Sequence, residues 1–259
     1  MEGMASRTGI NWTDSTWNPT TGCDRISAGC DHCYALDQAA RMKAMGSPGY
    51  QNDGDPRTSG PGFGLTLHPD RLDLPLRWER PRFVFVNSMS DLFHDEVPDE
   101  FIAQVFDVMT RAPQHVFQVL TKRSHRLARS ANRFEWPSNL WVGVTVESGR
   151  YGFRLDHLRS VPAARRFVSA EPLIGDPGGL NLTGIDWVIA GGESGPLARA
   201  CQTEWLRSLR DDCVRDGAAF WFKQWGAYFD EGGTPRRWTR EDGVLLDGVE
   251  YRERPPFAS

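Results

Sequence analysis

The sequence predicts an α/β fold, a partial parallel (β/α) barrel of about six to seven strands. Short runs of consecutive apolar residues alternate along the chain with stretches whose apolar residues recur at helical spacing. Runs of this kind are typical of parallel strands that connecting helices cover on both faces. A polar or charged residue follows almost every run, as at the mouth of a barrel. The length of 259 residues is also typical of a single α/β barrel.

The predicted elements follow in order from the amino end. A short strand with its turn covers 10–17, and a helix covers 34–45. Six further strands are predicted at 83–86, 116–120, 140–146, 166–170, 187–190 and 219–222. Helices are predicted between them, because apolar residues share one face, at 99–111, 124–131, 150–160 and 203–216. The stretch 172–186 is rich in turn residues, so we expect an irregular crossover there.

Two parts of the chain are expected to differ from the repeating pattern. We expect the barrel to cover residues 1–228 and a peripheral C-terminal appendage to cover 229–259. Within the barrel, a cysteine loop covers 18–34. An irregular insertion covers 46–64 and is rich in Gly and Pro. No helix start follows this insertion, so we expect a flexible lid or surface loop instead of a phosphate cradle.

The composition is that of a globular enzyme-like chain, with 39% hydrophobic and 25% charged residues. No apolar run approaches the roughly 18 residues that a membrane span requires, so we expect a cytoplasmic protein without a membrane partner. The net charge of −4 argues against a basic surface over the whole chain, although a local basic groove for nucleic acid remains compatible with it.

Three of the five cysteines, Cys23, Cys30 and Cys33, lie within eleven residues. Three thiolates can hold an iron–sulfur cubane and leave one iron open, whereas a closed structural site takes four ligands. We therefore favour an open cluster. Zinc is the alternative, with His32 or Asp31 as a fourth ligand. An odd number of cysteines argues against a disulfide framework. Cys201 and Cys213 fall in a helical pattern and are expected in the core, although a cluster role for Cys201 stays open.

Ionisable or hydrogen-bonding residues follow each of the six later strands. In a parallel barrel the carboxyl ends of the strands converge on one mouth, where sites are built. The alternative is that each residue belongs to an ordinary solvated loop or to a salt bridge without catalytic work. The residues concerned are Ser88, Ser90 and Asp91, then Lys122, Glu147, Glu171, the Gly191-Gly192-Glu193 segment and Lys223.

The cysteine loop resembles that of the radical S-adenosylmethionine superfamily, whose usual loop is Cys-x3-Cys-x2-Cys. The chain is more closely similar to a phage- and prophage-associated radical-SAM-like family of unknown function, itself distantly akin to spore photoproduct lyase. The matching motifs are 17–23, 29–35, 88–94, 120–123, 171–175, 191–196 and 222–226. The chain departs from the superfamily in two ways. The first cysteine gap is six residues, and His32 stands where an aromatic residue is usual.

The resemblance implies a barrel of radical-SAM type with Cys23, Cys30 and Cys33 on a [4Fe-4S] cluster. It implies S-adenosyl-L-methionine on the open iron, and a one-electron reductant that allows a 5′-deoxyadenosyl radical to form. The substrate is unknown, and the photoproduct lyase likeness makes nucleic acid the candidate. The alternative function is a non-radical zinc- or cluster-binding protein that binds a nucleic acid or protein partner.

The resemblance also suggests roles for the residues at the strand ends. Ser88, Ser90 and Asp91 take the place that holds the amino group of the cofactor in the superfamily. A ribose diol is usually held by a carboxylate, which points to Glu147. The glycines allow close approach of the backbone to a ligand. The cofactor-binding candidates are Ser88, Ser90, Asp91, Glu147, Gly191 and Gly192, and the catalytic candidates facing substrate are Glu193, Lys122 and Glu171.

Overall fold

A computed structural model describes residues 8–256, so residues 1–7 of the predicted barrel and residues 257–259 of the predicted appendage lie outside the described residues. The main element is a curled sheet of seven strands in which every neighbouring pair is parallel. The strands are β1 (Ser15–Trp17), β2 (Phe83–Val86), β3 (Val116–Thr121), β4 (Leu140–Thr145), β5 (Arg165–Ala170), β6 (Trp187–Gly191) and β7 (Ala219–Gln224).

The strands lie side by side in chain order, which gives a half-barrel with β1 and β7 at its edges. The predicted α/β fold is therefore confirmed. Helices occupy the connections: α1 (Tyr34–Ala44), α2 (Asp99–Arg111), α3 (Ser124–Ser130), α4 (Arg154–Arg159) and α5 (Thr203–Asp216). Short 3-10 turns cover Ala28–Cys30, Pro48–Tyr50, Pro69–Arg71, Pro75–Arg77, Ala131–Arg133, Gly149–Tyr151 and Arg240–Asp242. The crossover after β5 contains no helix, as the turn-rich stretch predicts.

The two faces of the sheet have different cores because successive side chains of a strand point to opposite faces. The outer face is mainly aliphatic and packs against the helices, with Val84 and Val86 of β2 as examples. The inner face is aromatic, and its rings meet edge to face, as in the pairs Trp12–Trp187 at 6.0 Å and Trp187–Trp221 at 6.1 Å between centroids. Large rings therefore fill the half-barrel below its mouth.

The C-terminal segment packs on the edge of the half-barrel at β7. The amide of Phe222 donates to the carbonyl of Tyr251 at 3.0 Å, and Trp187 Nε1 donates to the carbonyl of Glu253 at 2.8 Å. Leu246 is fully buried in the outer core. The segment covers a strand edge that would otherwise expose unpaired backbone groups. Within residues 8–256, five more short strands pair in two small sheets: Thr20–Thr21 with Thr66–Leu67, and Cys201–Gln202 with Tyr228–Asp230 and Pro235–Arg237.

None of the helices within residues 8–256 combines the length and the apolar character needed to cross a membrane.

Candidate functional site

A cavity opens at the carboxyl ends of the strands and has an empty volume of about 1310 Å³, including space open to solvent. Its floor is apolar and is formed by side chains of the inner core, among them Trp12, Phe85 and Leu120. Its walls are charged and come from the cysteine loop and the strand ends. A concave site with an apolar floor and a few polar groups is the usual form of a ligand pocket.

The three loop cysteines, Cys23, Cys30 and Cys33, all line this cavity, and none forms a disulfide. The insertion at 46–64 supports the loop from behind. The amide of Cys23 donates to the carbonyl of Phe63 at 3.2 Å, and the amide of Arg25 donates to the carbonyl of Thr58 at 2.7 Å. The insertion is therefore a hydrogen-bonded backing of the cysteine loop, which the sequence pattern did not indicate.

Cys23 has a charged neighbour. Arg123, at the end of β3, donates from Nη1 to Cys23 Sγ at 3.3 Å and to Asp91 at 3.1 Å. Burial raises the pKa of the Cys23 thiol to about 12, although Arg123 acts in the opposite direction. The free thiol is therefore protonated at neutral pH, and a metal would have to displace that proton.

Asp91 lines the cavity, but its carboxylate is already used by the protein. Its oxygens accept hydrogen bonds from the Thr121 hydroxyl at 2.7 and 2.9 Å, from the amides of Phe93 and Lys122, and from Arg123. Asp91 therefore orients Arg123 and the end of β3. The other predicted residues of this segment, Ser88 and Ser90, line the cavity and bond to Asn18 and Thr20 respectively.

Glu147 is fully buried and does not contribute to the cavity wall. It pairs with the buried Arg154 of α4 at 2.8 Å and accepts a short hydrogen bond from the Ser27 hydroxyl. A Cβ on Gly29 would lie 2.6 Å from Glu147 Cγ, so only glycine allows this close approach. Glu147 thus lies directly beneath the cysteine loop and does not face the cavity.

Glu193 faces the other end of the cysteine loop and lines the cavity. Arg199 donates to it from Nε at 2.8 Å and from its amide at 2.9 Å, and His32 Nδ1 lies 3.2 Å away. Burial acts to raise the pKa of Glu193, but the hydrogen bonds from Arg199 outweigh it and hold this pKa below its ordinary value. Arg199 also donates to the carbonyl of Ala28 at 2.9 Å, so this pair ties the loop to the end of β6.

Glu171, Lys223 and Lys122 face the cavity. Lys223 donates to Glu171 at 2.7 Å, and Gln224 donates to the same carboxylate at 3.0 Å. Lys122 makes a hydrogen bond of 3.4 Å to Thr145. Burial acts to lower the pKa of Lys122, but the neighbouring Cys30 and Glu147 favour the ammonium and place this pKa above its ordinary value. Lys122 therefore carries its positive charge beside the thiols.

The two glycines of the Gly191-Gly192-Glu193 segment approach protein and not open space. A Cβ on Gly192 would overlap the carbonyl oxygen of Trp225, and one on Gly191 would lie 3.2 Å from the carbonyl oxygen of Gln224. Gly192 also lines the cavity, whereas Gly191 does not. The segment after β6 is therefore packed tightly against the segment after β7.

The donors present suit the cluster that the resemblance implies, because they are thiols and because they lie in one cavity. Three unpaired thiols line one cavity, and two cations, Lys122 and Arg123, lie beside them. As placed, no group of three or more His, Cys, Asp or Glu side chains within residues 8–256 is arranged to hold a metal ion, so the thiols would have to converge on binding one. Cys201 and Cys213 are buried in the outer core.

Two of the residues that build this site were missed from the sequence, Arg199 and Arg154. Each is an arginine remote from the cysteines along the chain. Each contacts a carboxylate that bonds to the loop, and Arg199 also donates directly to the loop carbonyl of Ala28. Arg123 lies within the 120–123 motif, which did not by itself indicate a contact with a cysteine. Its place directly after Lys122 at a strand end was the one available signal.

Over residues 7–255 the chain matches a family described as "protein of unknown function (DUF5131)". The chain belongs to this family. No curated protein and no solved structure gives a significant match. Membership of the family covers nearly the whole chain and assigns no activity to it.

Proposed function

We propose that the protein is a radical S-adenosylmethionine-type iron–sulfur enzyme that acts on an unidentified substrate, with nucleic acid as the candidate. The observation that carries the proposal is the position of Cys23, Cys30 and Cys33. None of the three forms a disulfide. All three belong to one loop and line the cavity at the carboxyl ends of a parallel half-barrel. Sites of α/β barrels are built at this end.

When bound, a cluster with an open iron and S-adenosylmethionine would supply a carbon radical for hydrogen abstraction. The protein would hold the cluster with the three thiolates. Lys122 and Arg123 would offset their negative charge, because both line the same cavity and Arg123 donates to Cys23. The aromatic floor of the cavity keeps water away from the reacting groups.

The ends of β5 and β7 supply a further part of the cavity wall, which can bind a second molecule. Glu171 and Lys223 form an ion pair that lines the cavity and has no contact with the cysteine loop among the described hydrogen bonds. The cavity extends from the cysteines to this ion pair, with an empty volume of about 1310 Å³ that includes space open to solvent. We therefore assign the cysteine side to the cofactor and the Glu171–Lys223 side to the substrate.

The first test is anaerobic purification followed by analysis of iron, sulfide and zinc. Electron paramagnetic resonance of the dithionite-reduced protein would then be recorded with and without S-adenosylmethionine. We expect about four irons per chain and a spectrum that changes when the cofactor is added. Stoichiometric zinc with no such spectrum would contradict the proposal.

Two cysteine variants make this test specific. We expect Cys30→Ala to lose iron while the protein remains folded, because a chain of 259 residues buries a large core without the loop metal. Cys213→Ala is the matched control, since Cys213 is buried in the outer core away from the cavity. Equal iron loss in both variants would mean that the effect comes from general destabilisation.

Zinc is the second candidate, because His32 lines the same cavity as Cys30 and Cys33. Its Nδ1 contacts Glu193, which leaves Nε2 available for a metal. His32→Ala separates the two candidates. A zinc site would lose its metal in this variant, whereas a three-cysteine cluster would keep its iron.

A further inference from the structure

We infer that Arg123, oriented by Asp91, is a positioning residue that raises the reduction potential of the cluster held by Cys23. This inference rests on the proposed function and deepens it, because it concerns how the site accepts an electron. The established description of the family assigns no role to either residue.

Contacts on several sides hold the guanidinium of Arg123 in place. Nη1 donates to Cys23 Sγ at 3.3 Å and to Asp91 Oδ2 at 3.1 Å, and Nη2 donates to the carbonyl of Asp24 at 3.2 Å. Both members of the ion pair are buried, with 8% of Arg123 and 5% of Asp91 exposed. Asp91 is itself fixed by Thr121 and by two backbone amides. The guanidinium therefore cannot turn away from the sulfur without breaking a buried pair.

The hydrogen bond from Arg123 distinguishes Cys23 from the other two loop cysteines. Within residues 8–256, the side-chain hydroxyl of Ser27 lies 3.7 Å from Cys30 Sγ, and no arginine donates to Cys30 or Cys33 in the described hydrogen bonds. Lys122 acts on those two through space and not through a described hydrogen bond. Cys23 is thus the ligand whose sulfur receives a charged hydrogen bond.

The chemistry gives the direction of the effect. A one-electron reductant transfers one electron to the cluster, no proton moves, and the cluster with its thiolates becomes one unit more negative. A cationic donor at a ligand sulfur stabilises the more negative state, so it makes reduction easier. Removing the cation should make the potential more negative. Loss of Arg123 also leaves Asp91 without its counterion, which acts in the same direction.

The test is a redox titration with dithionite of the reconstituted protein, followed by electron paramagnetic resonance. We expect Arg123→Gln to lower the equilibrium constant for reduction of the cluster on the order of tenfold. For one electron this corresponds to a reduction potential about 59 mV more negative. Arg123→Lys keeps the charge and should recover most of the shift. Arg126→Gln is the matched control, because Arg126 pairs with Asp99 at 2.9 Å and has no described contact with a cysteine.

The outcomes separate this inference from the proposed function. If the wild-type protein holds no cluster, the proposed function fails. If Arg123→Gln holds a cluster with the potential of wild type and of Arg126→Gln, the function stands and this inference is overturned. If Arg123→Gln assembles no cluster, the double variant Asp91→Asn/Arg123→Gln leaves no buried unpaired charge and is titrated instead. A more negative potential is again expected, because Arg123 donates directly to the sulfur and Asp91 contacts Arg123 instead. An unchanged potential overturns the inference.

Discussion

The neighbouring strands β4 and β5 are each followed by a glutamate at the same register position, but the two glutamates have different surroundings. Thr145 of β4 pairs with Ser169 of β5, and a glutamate follows two residues beyond each, Glu147 and Glu171. Glu147 is fully buried against Arg154 and the cysteine loop, whereas Glu171 faces the cavity with Lys223. The resemblance implied a cofactor-binding role for Glu147 and a catalytic role facing substrate for Glu171.

The difference arises from a distant part of the chain. The cysteine loop crosses over the end of β4, where Gly29 contacts Glu147 and Ser27 donates to it, and leaves the end of β5 open. A strand-end carboxylate can therefore support the cysteine loop or can face the cavity. The choice depends on which loop covers it and not on its position in its own strand.

The largest expected difference between the two strand ends concerns stability. Glu147→Gln leaves the buried Arg154 without its counterion, and we expect the free energy of unfolding to fall by about 3–5 kcal/mol. Urea denaturation measures this change. Glu171→Gln is the matched control at the other strand end. Equal losses in the two variants would contradict the distinction drawn between them.

The second prediction concerns the close approach of Gly29 to Glu147. An alanine Cβ would lie 2.6 Å from Glu147 Cγ and 2.7 Å from its Oε1, so the cysteine loop has to move. We expect Gly29→Ala to cost about 1–3 kcal/mol and to lower the iron bound per chain. Gly9→Ala is the control, because its Cβ would meet nothing within 4 Å. Full iron content in Gly29→Ala would show that the loop does not depend on this contact.

The third prediction concerns the open strand end. Glu171→Gln removes one charge from a pair that lines the cavity, and its amide can still accept a hydrogen bond from Lys223. We expect a stability change of about 1 kcal/mol or less and no loss of iron. The methionine released from S-adenosylmethionine per cluster then measures the effect of Glu171 on the bound ligands alone. A loss of iron as large as in Gly29→Ala would show that Glu171, like Glu147, supports the cysteine loop.

The fold was predictable because its signals are local. The strand cores are continuous apolar runs, and α2 has its apolar residues on one face, so strand and helix could be told apart without knowledge of their neighbours. The three cysteines could also be predicted to act together, since they lie in one short segment, and they do face one cavity. The structure adds the aromatic inner face, on which Trp12 packs against Trp187 from the far side of the half-barrel.

The supports of the site were not predictable because they join distant segments. Arg199 and Arg154 contact Glu193 and Glu147, and each carboxylate then contacts the cysteine loop more than a hundred residues away. The insertion at 46–64 has the composition of a free loop, yet its carbonyls accept amide hydrogen bonds from the cysteine loop. Backbone hydrogen bonds of this kind do not depend on side-chain identity and leave no pattern in the sequence.

The last and smallest expected effect is a pH dependence at Glu193. Its pKa is lower in the folded protein than its ordinary value of 4.5, so its pair with Arg199 stabilises the fold above that value. This stabilisation is lost as the pH falls through the lower, folded value. Arg199 and His32 are the nitrogen-bearing side chains that face it. The Arg199 amide donates directly to the carboxylate, so its hydrogen exchange, corrected for the intrinsic rate, should lose protection as the pH falls below 4.5.

Amides of β5 report global unfolding in the same experiment and should stay protected over this range. In Glu193→Gln the Arg199 amide should be less protected at neutral pH and should show no such transition. A transition of unchanged size in the variant would assign the effect to another carboxylate. It would also remove Glu193 from the supports of the cysteine loop, leaving Glu147 as the carboxylate on which the loop depends.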